Sequence, residues 1–192
     1  MLENLKKYSI ILGSQSPRRQ ELLKGLDIPF TVQVTDIEET YPSHLQAEEI
    51  AIFLAELKAK SFIPEINNNT LVITADTIVW HEGKVFGKPT DINDAKRMLQ
   101  HLSGKTHEVY TGVCISTKQK KVSFFAVSHV RFAKLGEDEI NYYLSRYKPL
   151  DKAGAYGVQE WIGYVVVEHI DGSYFNVMGL PIQRLYQELK QF

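Results

Sequence analysis

Residues 8–23 read Tyr8-Ser9-Ile10-Ile11-Leu12-Gly13-Ser14-Gln15-Ser16-Pro17-Arg18-Arg19-Gln20-Glu21-Leu22-Leu23. The apolar run at 8–12 predicts a short buried strand. Gly13 to Ser16 are turn residues, and Pro17 suits the first position of a helix capped by Ser16. That helix is expected to run to about Leu26, with Leu22, Leu23 and Leu26 on one face. A strand that passes through a tight turn into a helix is the opening of an α/β fold.

The rest of the chain continues the alternation. Phe30, Val32 and Val34 alternate with polar residues, which predicts a strand with one buried face. Ile50, Leu54 and Leu57 recur at helical spacing between about Gln46 and Ser61. Residues 71–74 read as an apolar strand running into Ala75-Asp76-Thr77. A further short strand at 78–80, a Glu82-Gly83 turn and residues 84–86 come next. Helices are expected at 92–102 and 137–147, with Ala95, Met98, Leu99 and Leu102 inward in the first and Ile140, Tyr143 and Leu144 inward in the second. Residues 109–117 and 122–132 read as a long hairpin, 164–170 as a strand and 180–189 as a closing helix. Strands interleaved with helices and hairpins give a mixed α/β sheet, in one domain over residues 1–192.

Composition narrows the partners. The 192 residues carry 22 Lys+Arg against 23 Asp+Glu, so the net charge of −1 offers no bulk attraction to nucleic acid or anionic membrane. Cys114 is the single cysteine, which leaves no intrachain disulfide and no Cys-x-x-Cys metal motif. No apolar run reaches membrane-span or signal-peptide length, so a cytoplasmic protein is expected. No pair of the six histidines has helical metal-ligand spacing, and no zinc site is expected. Gly104-Lys105-Thr106 lacks the first glycine of a phosphate-binding loop. Lys152 stands where a dinucleotide fingerprint ending in Gly154 and Gly157 needs glycine.

Candidate chemistry lies in scattered segments. Ser14, Ser16, Arg18 and Arg19 gather hydroxyls and guanidinium forks at a helix N-terminus, a setting suited to phosphate oxygens; they also suit a plain Ser-Pro cap with solvated arginines. Asp76 follows an apolar strand, where a carboxylate can orient water, accept a proton or hold a cation, or simply cap a turn. Glu39 begins a loop, and Lys58 nears a helix end, where cations complement the dipole. Lys88 sits between Gly87 and Pro89. Residues 151–159, with Lys152 and Gln159, are rich in small residues among a few polar groups.

Taken in order, these segments resemble the Maf family of nucleotide pyrophosphatases, also called septum formation inhibitor proteins. The resemblance spans nearly the whole chain. It runs from Ser14-Gln15-Ser16-Pro17-Arg18-Arg19 through Asp36-Ile37-Glu38-Glu39-Thr40, Lys58-Ala59, Ala75-Asp76-Thr77 and Gly87-Lys88-Pro89. It continues through Leu102-Ser103-Gly104-Lys105-Thr106-His107, Tyr110-Thr111-Gly112 and residues 151–159, and ends at Gly179-Leu180-Pro181. One departure is Thr74, where the family usually has glycine before Ala-Asp-Thr.

The resemblance implies an elongated mixed sheet with flanking helices and two lobes around a cleft, like the inosine triphosphatase group. It implies hydrolysis of a nucleoside triphosphate to monophosphate and pyrophosphate with Mg²⁺ or Mn²⁺. Lys152-Ala153-Gly154-Ala155-Tyr156-Gly157 with Gln159 is similar to the dTTP/UTP subgroup. By position, Asp76 matches the proton acceptor. Arg18, Thr77 and Gln159 match residues linked to substrate choice, and Glu39, Lys58 and Lys88 match other active-site positions. Ser14, Ser16, Arg19 and Lys152 are expected to hold the substrate, and Glu39 with Asp76 to hold the metal. A homodimer is compatible with this reading. Its rivals are a nucleotide-binding regulator of septum formation and a pyrophosphatase for 7-methyl-GTP.

Overall fold

In a computed structural model that describes residues 2–63 and 66–192, the opening segment folds as a strand, a turn and a helix. Residues 1, 64 and 65 of the expected domain lie outside the described residues. Strand β1 (Ser9–Leu12) leads to helix α1 (Pro17–Lys24), capped by the Ser16 hydroxyl with Pro17 at its start. Strand β2 (Thr31–Val32) and helix α2 (Ala47–Phe62) follow. Strand β3 (Thr70–His81) turns into β4 (Lys84–Phe86), then helix α3 (Ile92–Leu102). Strands β5 (Thr106–Ser116) and β6 (Lys121–Phe132) are joined by a tight turn closed from Thr117 N–H to Lys120 C=O at 2.8 Å. Helices α4 (Glu137–Tyr147) and α5 (Trp161–Val165), strand β7 (Val167–Asp171), and helices α6 (Tyr174–Met178) and α7 (Ile182–Leu189) complete the chain.

The strands form a seven-stranded mixed sheet in the order β2-β1-β3-β5-β6-β7, with β4 pairing on β3. β1 lies parallel to β2 and to β3, whereas β4 is antiparallel to β3 and β7 to β6. The mixed α/β expectation is met. Among the described residues no helix is long and apolar enough to cross a membrane.

The chain divides into two compact units. Unit 1 holds the residues up to Asp76 with Thr111–Ala126 and Gly179–Phe192, and unit 2 holds Thr77–Tyr110 and Val127–Met178. Within unit 1, Ile11, Phe62, Ile66 and Val72 form one apolar cluster, and Ala55, Ala59 and Cys114 another. Unit 2 packs Leu99 and Leu102 of α3 against Ile140, Tyr143 and Leu144 of α4 in its own core. Each such leucine contributes about 1.5–3 kcal/mol by leaving water.

Three local expectations are corrected. The alternation of Phe30, Val32 and Val34 yields only the two-residue β2, with Val32 and Val34 exposed. β2 pairs with β1 through only two registers, Ile11 with Thr31 and Leu12 with Val32, and neither Val32 nor Val34 is covered by another layer. Residues 164–170 split into the end of α5 and strand β7. Ile162 and Val166, four residues apart and both buried, favour one helical turn over the β-branched propensity of that run. Finally, 71–74 and 78–80 are parts of one strand, so Asp76 lies inside β3 rather than after it.

Candidate active site

The position of Asp76 within β3 has a structural logic. β1 pairs with β3 only as far as Ile73, and β4 pairs with it only from Val79. Asp76 and Thr77 therefore occupy the interval between two strand partners. The strand whose carboxyl end opens here is β1, where Gly13 N–H still reaches Ile73 C=O at 2.8 Å and Ser14 begins the turn. Thr74, also in this stretch, is fully buried and donates its hydroxyl to Ala55 C=O of α2 at 2.7 Å.

Unit 1 holds seven of the expected residues, Ser14, Ser16, Arg18, Arg19, Glu39, Lys58 and Asp76. Lys58, four residues before the end of α2, places its ammonium on Asp76 Oδ1 and 3.0 Å from Glu39 Oε1. Asp76 is 7% exposed, so this bridge is largely shielded from water. Ser14 is also buried, and its hydroxyl oxygen accepts from Ser16 N–H at 3.2 Å and from Arg19 Nη1 at 3.4 Å. Arg19 Nε donates to Gly179 C=O at 2.7 Å, which fixes the guanidinium at the start of α1. Burial lowers the Arg19 pKa from its ordinary value and Arg18 adds to that, while the charges of Asp76 and Glu39 oppose it. The cluster sets three cationic side chains, Arg18, Arg19 and Lys58, against two carboxylates, a balance suited to a polyanion. The N-terminal end of the α1 dipole adds to that suitability.

Unit 2 holds the remaining expected residues. Lys152 is buried, with its ammonium 2.8 Å from Asp151 Oδ1 and 3.1 Å from Glu160 Oε1. Glu160 also accepts from the Tyr143 hydroxyl, which in turn accepts from Gly157 N–H at 3.0 Å. Burial, and then Glu160, push the Tyr143 phenol above its ordinary range. Gly154 N–H donates to Gly87 C=O at 3.1 Å, which tethers the Gly87-Lys88-Pro89 loop to the small-residue segment. Gly154 has φ +67, and a Cβ there would lie 2.8 Å from a Val79 methyl, so only glycine fits. The Gln159 Oε1 atom is buried and makes no hydrogen bond. Thr77 follows Asp76 on β3 and is half-buried.

The description Maf-like protein matches residues 9–192. The chain belongs to that family. A dTTP/UTP pyrophosphatase of Bacteroides fragilis is 58% identical to this Maf-like chain over 192 residues, covering 100% of both. One of Parabacteroides distasonis is 58% identical over 193 residues, again covering 100% of both. One of Porphyromonas gingivalis is 53% identical over 195 residues, covering 100% of this chain and 98% of its own. Among solved structures, the Staphylococcus aureus Ham1 protein is 18% identical with a TM-score of 0.50, covering 94% of this chain and 99% of that one. At that identity the likeness bears on fold alone, and it agrees with the mixed α/β class.

Two features of the Maf-like chain escape a reading of its sequence. The first is the Tyr143–Glu160–Lys152 network, whose members carry no shared spacing. The second is His81, Glu82 and His101, whose ligand atoms all lie within 4.8 Å of one another. The three come from the end of β3, its turn and the last turn of α3, so no helical spacing links them. Burial, with Lys105 second, lowers the His101 pKa from its ordinary value. Nearby, His107 hydrogen-bonds Tyr156 at 2.8 Å, and burial followed by the charge of His81 lowers its pKa to about 3.

Proposed function

We propose that this chain hydrolyses dTTP and UTP, or pyrimidine nucleotides modified on the base, to the nucleoside monophosphate and pyrophosphate. The full-length relatives that carry the name dTTP/UTP pyrophosphatase support this reading. The observation that carries it is the shielded Asp76–Lys58–Glu39 bridge beside Arg19 and Ser14.

In this reaction a water oxygen bonds to the α phosphorus, the bond from that phosphorus to the α–β bridging oxygen breaks, and pyrophosphate departs. Phosphoryl chemistry leaves the protein mostly positioning and electrostatics. Lys58 fixes Asp76 through Oδ1, so that Oδ2 takes the proton of the attacking water. Arg18, Arg19, Ser14 and Ser16 hold phosphate oxygens at the start of α1. Lys58 shares its charge between two carboxylates, so its first task is to position Asp76. Lys152 is held by Asp151 and Glu160 and steadies the segment that carries Gln159. The Gln159 oxygen, buried without a hydrogen bond, suits the N3–H of uracil or thymine.

Glu39 and Asp76 present hard carboxylate oxygens to the same ammonium, a donor set that fits Mg²⁺ or Mn²⁺. When bound, such an ion neutralises triphosphate charge. A cytoplasmic enzyme acting on free nucleotide rather than nucleic acid fits the balanced charge. Exposed Tyr164 and Phe175 support assembly as a homodimer, which sedimentation velocity reads directly.

The test is to incubate wild type and Asp76→Asn with Mg²⁺ or Mn²⁺ and UTP, dTTP, CTP, GTP and 7-methyl-GTP, and to separate the products. UMP and dTMP with pyrophosphate, lost in the variant, are expected. Turnover of 7-methyl-GTP alone would overturn the substrate assignment. Nucleotide binding with no turnover of any of them would favour a regulator of septum formation.

A further inference from the structure

We propose that His81, Glu82 and His101 form a binding site for a transition metal of the Zn²⁺ class, different in donor chemistry from the carboxylates assigned to Mg²⁺ or Mn²⁺. His81 Nε2 lies 3.3 Å from Glu82 Oε1, and His101 Nε2 lies 3.4 Å from Glu82 Oε2. A tetrahedral ion about 2.0–2.2 Å from each nitrogen or oxygen ligand sets neighbouring ligands about 3.3–3.6 Å apart. Each histidine nitrogen therefore stands at that distance from one Glu82 oxygen, and one ligand atom from each of the three residues lies within 4.8 Å of the others.

The nitrogens themselves call for a partner. Both Nε2 atoms are buried, and neither makes a hydrogen bond, although Glu82 is close to each. Buried polar atoms are nearly always satisfied, and a metal ion would satisfy both at once. Two imidazoles and one carboxylate form a borderline donor set, which favours Zn²⁺, Co²⁺ or Ni²⁺ over Mg²⁺.

The backbone supports the arrangement. Glu82 and Gly83 are the two turn residues between β3 and β4, with φ of 50 and 75. Such turns favour Asn-Gly or Asp-Gly, and turn propensity does not account for glutamate in the first place. His81 closes β3 and His101 lies in the last turn of α3, so regular elements position two ligands. Bound metal would pin the β3–β4 hairpin to α3, and the loop with Lys88 leaves directly from β4.

Lys105 is the competing cation. Its ammonium lies 3.5 Å from Glu82 Oε1, and its side chain is 40% exposed, so it can swing into solvent when a metal ion enters.

The experiment titrates metal-stripped full-length protein with Co²⁺ alone and records visible absorption. Stoichiometric binding with the intense bands of a four-coordinate ion is expected, bleached by added Zn²⁺. H101Q and E82Q should lose those bands while melting like the metal-stripped wild type. D76N should keep them, which separates this site from the proposed catalytic carboxylates. K105Q should bind Co²⁺ several-fold more tightly, because a repelling charge is gone. Absence of four-coordinate bands in wild type, their persistence in both H101Q and E82Q, or their loss in D76N would each overturn the assignment.

Discussion

The methyl group of Thr74 occupies the space in which a side chain at Gly13 would begin. A Cβ built on Gly13 would lie 2.8 Å from Thr74 Cγ2 and 2.8 Å from Phe62 Cε2. Thr74 is thus accommodated by a bare backbone on β1's exit, while its hydroxyl is satisfied by Ala55. Gly13→Ala should cost about 1–3 kcal/mol by overpacking. Combining it with Thr74→Ser, which removes the methyl and keeps the hydroxyl, should recover part of that loss. Urea melts of the two single variants and the double variant read the coupling; strict additivity would mean that the two positions do not share this space.

Asp76→Asn should reduce turnover of UTP about 10²–10⁴-fold, the range for loss of a general base. Lys58 keeps Glu39 as a partner in that variant, so folding should survive. The measurement is kcat on protein whose melting curve has been recorded. Near wild-type turnover would remove Asp76 from the chemistry.

Much of this site was legible, and the limits have physical causes. Helices α3 and α4 are found at their expected bounds because each carries an uninterrupted apolar stripe, Leu99 and Leu102 in one, Ile140, Tyr143 and Leu144 in the other. Ser14, Arg19, Glu39, Lys58 and Asp76 each have chemistry legible in the sequence, but only the resemblance joins them into one site, and the fold brings them together. Spacing alone could not do that, because 36 residues separate Glu39 from Asp76 and no periodicity links them. β2 and α5 were misread where local alternation or β-branching was not matched by a covering layer. His81, Glu82 and His101 were invisible for a different reason. A hairpin turn and a helix end meet only in three dimensions, and adjacency in sequence says nothing about which way a turn residue points.

Tyr143→Phe should loosen the segment that carries Gln159. The phenol oxygen accepts from Gly157 N–H at 3.0 Å and its proton goes to Glu160, so the variant strands a buried N–H and leaves Glu160 with Lys152 alone. The loss should be about 1–3 kcal/mol, the cost of an unsatisfied buried group. If Gln159 reads the base, KM for dTTP should rise more than kcat falls. A drop in kcat alone, at unchanged KM, would detach this network from substrate recognition.

Stability should fall on mild acidification because of His107. Its pKa is lowered from 6.5 to about 3, chiefly by burial and secondarily by His81. Above pH 6.5 the imidazole is neutral whether the chain is folded or unfolded, and it contributes no pH dependence. Below 6.5 the unfolded chain takes up a proton that the folded chain refuses, so stability declines as pH drops toward 3. The slope from this one group approaches about 1.4 kcal/mol per pH unit. His107→Gln keeps a polar partner for the Tyr156 hydroxyl and cannot titrate. It should be less stable than wild type near pH 7.5, where packing is disturbed for no gain, but should lose less stability between pH 6.5 and 4. Urea melts across that range, in chelator so that His81 is metal-free, give both slopes. Parallel slopes for the two proteins would show that the buried imidazole is not what senses the acid.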